Sequence, residues 1–161
     1  MHKLTKHGFQ AGFSLIELLI VVAIILIIAA IAIPNFMRAR ISANEASAVT
    51  SMHAVATAEI GYSSAYPQIG FSASLADLGY GGGGSCSPTG ACFVDPALAS
   101  GKKSGYSFTY VGDGATPSIA YTFNADPQAY GLTGQTSYYS DQTNVIHYNP
   151  TGAASAMDPS L

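Results

Sequence analysis

The hydrophobic pattern changes character three times along the chain. Residues 13–37, FSLIELLIVVAIILIIAAIAIPNFM, are almost continuously apolar, and Glu17 is the one charged residue among them. The uncharged stretch from Leu18 to Met37 has about the 20 residues that a bilayer-spanning helix requires. From Arg38 the sequence ARISANEASAVTSMHAVATAEIGY is Ala-rich. Ile41, Val49, Met52, Ala56 and Ile60 recur there at helical spacing, which predicts an amphipathic continuation over 38–62. A helix from Phe13 to Tyr62 would be about 75 Å long, more than twice the hydrocarbon thickness, so its second half needs a protein partner. Pro34 removes one backbone donor and crowds the preceding turn, so a kink or a loosened turn is expected there.

The third pattern begins at residue 63. Gly, Ser and Pro dominate 63–105, which reads as a long surface loop anchored by Leu75, Leu78, Phe93 and Leu98. Alternation then takes over. YSFTYV at 106–111 sets Tyr106, Phe108 and Tyr110 against Ser107 and Thr109, and SIAYTFN at 118–124 sets Ile119, Tyr121 and Phe123 against Ser118, Ala120 and Thr122. SYYS and NVIHY flank Asp141-Gln142-Thr143 and predict a second hairpin, closing a sheet over 106–148 and leaving a tail at 149–161. The expected fold is α+β: a long amino-terminal helix, membrane-spanning in its first half, whose amphipathic second half packs against an antiparallel sheet of about four strands.

Composition narrows the class. Charged residues make up 9% of the chain, against 48% hydrophobic and 11% aromatic. Low charge with that many aromatic side chains describes a folded head on an apolar stem and excludes a disordered chain. Cys86 and Cys92 enclose Ser87-Pro88-Thr89-Gly90-Ala91, in which Pro followed two places later by Gly favours a tight turn. A disulfide is expected if the head is exported, worth about 2 kcal/mol. Two cysteines without neighbouring histidines supply only half of a zinc site.

The amino terminus, MHKLTKHGFQAG, carries Lys3 and Lys6 and no acid. Basic residues before a first apolar segment hold that end in the cytoplasm, so whatever follows the segment is extracytoplasmic. The apolar run exceeds the 7 to 15 residues of a cleaved secretory signal, and its plainest reading is an uncleaved anchor. The Gly12-Phe13 junction alters that reading. GFSLIELLIVVAII, with glycine, phenylalanine, an acid four residues further on, and Pro34, resembles the class III signal of type IV prepilins and their pseudopilin relatives.

The resemblance covers roughly the first forty residues. It implies that a membrane peptidase cuts between Gly12 and Phe13, removes the basic leader 1–12 and methylates the new amine on Phe13. It further implies that 13–37 serves first as a transmembrane helix and then as a fibre-core helix. An ionised carboxylate at membrane depth costs at least about 2.5 kcal/mol, so Glu17 needs either a partner or a path to the headgroups. One helical turn separates it from the new amine, and the resemblance implies that in the filament it meets the Phe13 amine of an adjacent copy. The implied protein is a structural subunit, not an enzyme and without a cofactor. Its implied partners are other copies of itself, the inner membrane, the prepilin peptidase and the pilus or type II secretion assembly machinery. The implied destination is an extracellular filament, or the periplasm for a pseudopilin. The cysteine pair stands before the predicted sheet, whereas many pilins enclose the carboxyl-terminal part of theirs. An alternative of another class is a monomeric, signal-anchored binding domain, which predicts no cut after Gly12.

Other chemistry finds little footing. Gly81–Gly84 follows no strand, and Gly101-Lys102-Lys103-Ser104 lacks the upstream glycine of a P-loop. Only His53 and His147 lie outside the leader, and no G-x-S-x-G stretch is present. Asp141 and Asn144 offer one carboxylate where calcium asks for six to eight oxygens, so a turn is expected there and no metal. Without the leader, four basic residues stand against nine acids, which argues against nucleic acid as a partner.

Overall fold

The computed structural model describes residues 13–81 and 85–161. Helix α1 (Leu15–Ala65) is assigned as helix throughout, with Pro34 inside it. Internal contacts divide the chain between Met37 and Arg38, and the two units are taken in turn.

In the first unit, every large apolar side chain from Phe13 to Met37 is between 40% and 85% exposed. The segment is long and apolar enough to cross a membrane. Ala, Leu, Ile and Val satisfy their own backbone in a helix but find no side-chain partners within the unit, so their burial is left to lipid or to other chains.

The second unit is a two-layer α+β head. Its sheet has five antiparallel strands in sequential order: β1 (Lys102–Lys103), β2 (Tyr106–Gly112), β3 (Tyr121–Pro127), β4 (Ser137–Asp141) and β5 (His147–Asn149). Registers Tyr106↔Pro127 to Gly112↔Tyr121 and Thr122↔Asp141 to Ala125↔Tyr138 place Phe108, Phe123, Ala125 and Tyr138 on the helix-facing side. Phe108 stacks on Phe123 at 5.6 Å and Tyr110 on Tyr121 at 5.5 Å. From α1 the core receives Ala48, Met52, Val55, Ala58 and Tyr62.

Several details depart from the sequence reading. The sheet has a fifth strand, because Gly101 and Gly105, both at positive φ, fold Lys102–Ser104 into a hairpin instead of leaving it in the loop. Strand β3 starts at Tyr121, so Ser118–Ala120 precede the ladder and Ile119 is exposed. On α1 Ile60 is exposed while its neighbour Glu59 is fully buried. An Ala- and Ser-rich helix has little hydrophobic contrast, and the buried stripe falls one position away from the predicted one. The carboxylate of Glu59 accepts the Ser72 N–H at 2.9 Å and the Ser72 hydroxyl at 2.5 Å, while Tyr110 donates to the Ser72 carbonyl at 3.0 Å. Burial, and secondarily the charge of Glu59, pushes the Tyr110 hydroxyl far above its ordinary range.

The stretch 63–105 contains two short helices, α2 (Leu75–Leu78) and α3 (Pro96–Ala99). Leu75, Leu78 and Leu98 anchor it in the core, whereas Phe93 remains 44% exposed. Gly70 sits at φ +81° so close to the Ser118 backbone that a Cβ there would collide with it. The carboxyl-terminal tail returns to the sheet edge: the Tyr148 N–H donates to the Pro159 carbonyl and the Leu161 N–H to the Ile146 carbonyl, both at 2.9 Å. This return covers part of the outer edge of β5.

Candidate functional site

Phe13, Ser14 and Glu17 open the apolar unit. Ser14 precedes the first helical residue, and its backbone N–H donates to Glu17 Oε2 at 2.9 Å. This is half of a capping box, in which a Glu three residues into the helix reaches back to the orphan amide of the cap. The Leu18 N–H donates to the Ser14 carbonyl at 3.2 Å, closing the first turn. Glu17 therefore has a local role that the sequence reading did not assign. The signal was present, since S-x-x-E ahead of an apolar run is the pattern for it. Oε1 of Glu17 accepts no hydrogen bond among the described residues, and Phe13 is 85% exposed. A carboxylate on the first turn also favours the positive end of the helix dipole. Gly12, the residue on the other side of the expected cut, lies outside the described residues.

Pro34 lies within the apolar unit, and Arg38 and Arg40 follow it directly in sequence. At the start of the head, Asn44 Nδ2 donates to the Thr133 carbonyl at 2.8 Å, and Glu45 Oε1 accepts the Gln135 N–H at 2.8 Å. These bonds fasten the loop between β3 and β4 to the helix, and nothing in the spacing of the sequence pointed to them.

Cys86 and Cys92 are joined by a disulfide with Cα atoms 5.7 Å apart. Between them the Gly90 N–H donates to the Ser87 carbonyl at 2.9 Å, the tight turn that Pro88 and Gly90 favour. Tyr62 donates from its hydroxyl to the Pro88 carbonyl at 2.7 Å and ties this turn to α1. Asp141 Oδ1 accepts the Thr143 N–H at 2.9 Å and the Thr143 hydroxyl at 2.6 Å, a side-chain-stabilised turn. No cluster of three or more His, Cys, Asp or Glu side chains occurs among the described residues.

Residues 8–33 match the family described as the prokaryotic N-terminal methylation motif. The match covers the end of the basic leader and most of the apolar segment and does not extend into the head. Over 48 residues it is 54% identical to the type IV major pilin protein PilA of Myxococcus xanthus, an alignment covering 30% of this chain and 22% of that protein. The chain thus aligns with little more than a fifth of that relative's length. No solved structure matches the chain.

Proposed function

We propose that the chain is cut between Gly12 and Phe13, methylated on the Phe13 amine, and polymerised through the apolar segment into a type IV pilus-like extracellular filament. Before assembly the same segment holds it in the inner membrane, where the prepilin peptidase and the assembly machinery act on it. The chain has no catalytic part in this. The observation that carries the reading is the exposure of every large apolar side chain from Phe13 to Met37. Burying one such side chain is worth about 1.5–3 kcal/mol, and neighbouring copies can bury whole faces at once. Glu17 sets the register: Oε2 caps its own helix while Oε1 accepts the Phe13 amine of an adjacent copy, in surroundings of low dielectric that strengthen the pairing. Pro34 gives the packed helices a point at which to loosen. The major-pilin relative favours a surface filament over the short periplasmic fibre of a pseudopilin.

Two substitutions at Glu17 separate its two roles. Glu17→Gln can still accept the Ser14 amide, as Gln does in capping boxes, but it carries no charge to offset that of a neighbouring ammonium. Both Glu17→Ala and Glu17→Gln are expected to be inserted and processed while lowering sheared surface filaments at least about tenfold, the effect of leaving a partner charge alone in low dielectric. Normal filaments from Glu17→Gln would reduce the residue to a helix cap. A processed parent chain that supports secretion and yields no surface filaments would assign it to the pseudopilins.

A further inference from the structure

Every fixed cation after Phe13, namely Arg38, Arg40, Lys102 and Lys103, lies at one end of the head. Arg38 and Arg40 open the unit, and the β1–β2 hairpin is fastened close by, Ser47 donating to the Ser104 hydroxyl at 2.8 Å. A Cβ added to Gly105 would lie 3.1 Å from Asn44 Nδ2, so this hairpin rests on the same turns of α1. Two acids near this end are engaged, Asp95 pairing with Lys103 at 2.8 Å and Glu45 Oε1 accepting the amides of Gln135 and Thr136, while Asp126, opposite Ser107 in the sheet, has a buried Oδ1 with no hydrogen-bond partner among the described residues. Arg38, Arg40 and Lys102 are exposed and form no ion pair among the described residues.

The opposite end carries the other sign. Past the end of α1, the Phe71 N–H donates to the Ser118 carbonyl at 3.1 Å and the Ser118 N–H to the Ile69 carbonyl at 2.7 Å, which places loop 113–120 there. Ser72, next to Phe71, bonds Glu59, which lies about 18 Å along the helix axis from Ser47. The registers Gly112↔Tyr121 and Thr122↔Asp141 bring the 141–144 turn to the same end. Asp113, Tyr121 and Gln142 border one shallow concavity. Asp113 accepts the N–H groups of Ala115 and Ile119, each at 3.0 Å, remains exposed, and forms no ion pair among the described residues.

We infer that the Asp113 and Asp141 end of one head receives the Arg38, Arg40 and Lys102 end of a second copy, a head-to-tail contact that sets the axial stacking of heads. The inference rests on the polymerisation proposed above. Copies that leave one membrane share an orientation, so a displacement along α1 by about one head length brings opposite ends together. Such a contact is heterologous and repeats without closing, as a filament requires. Opposed charges at such a contact fix register and penalise misaligned copies.

The test is a charge exchange between two exposed positions that make no capping bond, in cells producing the full chain. Lys102→Glu places an acid against the acidic end, and Gln142→Arg places a cation against the basic end. Each alone is expected to lower sheared filaments about tenfold, since like-charge juxtaposition is strongly unfavourable. The two together are expected to recover to within about twofold of the parent. Arg40→Glu is carried in parallel, and its rescue by Gln142→Arg supports the contact equally. Immunoblots of the membrane fraction separate lost stacking from lost subunit. Single variants at parental filament levels, or doubles no better than the worse single, overturn the inference and leave polymerisation standing. Normal filaments combined with weakened membrane retention of Lys102→Glu would assign the basic end to anionic lipid and overturn it too. A parent chain that forms no filaments overturns polymerisation and this contact with it.

Discussion

Residues 13–37 and the head beginning at Arg38 differ in where their apolar side chains find partners. In the head, Met52, Val55, Tyr62, Leu78, Leu98, Tyr106 and Phe123 are almost completely withdrawn from solvent within one chain. In the apolar segment nothing comparable happens, although its residues are individually more hydrophobic. The lesson concerns where stability resides. The head carries its own core, while the segment leaves its apolar side chains to partners outside it.

Three experiments can break that contrast, in descending order of effect. A chain starting at Arg38 is expected to remain soluble and monomeric without detergent, whereas the full chain requires detergent or membrane; size-exclusion chromatography decides. Aggregation of the shortened chain would show that the head depends on the segment. Next, Phe123→Ala removes a buried ring stacked on Phe108 and is expected to destabilise the head by about 3–5 kcal/mol in denaturant titrations. Ile24→Ala, in the apolar segment, is expected to leave head unfolding unchanged and to reduce filament yield. Smaller again is the response to acid. Hydrogen bonds from the Ile119 and Ala115 amides hold the Asp113 carboxyl down at about 2, below its ordinary 3.8. A depressed carboxyl contributes stability that is present above 3.8 and disappears as pH falls toward 2, because there the unfolded chain binds the proton first. Asp113→Asn should flatten this acid limb by lowering stability at neutral pH while leaving stability near pH 2 almost unchanged.

Legibility in the sequence follows the same division. The apolar segment was readable because a run of Leu, Ile and Val leaves no alternative arrangement of its backbone in lipid, and because Gly12-Phe13 with Glu17 is a specific combination. The sheet was readable from the alternation of Tyr106, Phe108 and Tyr110 and of Tyr121 and Phe123. The amphipathic half of α1 was harder. Its buried stripe includes Ala48, Ser51 and Glu59, residues whose hydropathy does not announce burial, while Ile60 faces out. The two-residue strand β1 and the tail paired to β5 depend on tertiary contacts that periodicity does not encode. At Glu17 the miss was of a different kind, since the capping pattern Ser14-Leu15-Ile16-Glu17 stood in the sequence and went unassigned beside the intermolecular role.

Intact mass measurement of the chain recovered from sheared surface filaments tests the central claim most directly. The account predicts a polypeptide that begins at Phe13, lacks residues 1–12 and carries a methyl group on its amino terminus. Recovery of this chain with Met1 still in place, or its absence from every filament fraction while it is abundant as a monomer in the membrane, would contradict the account.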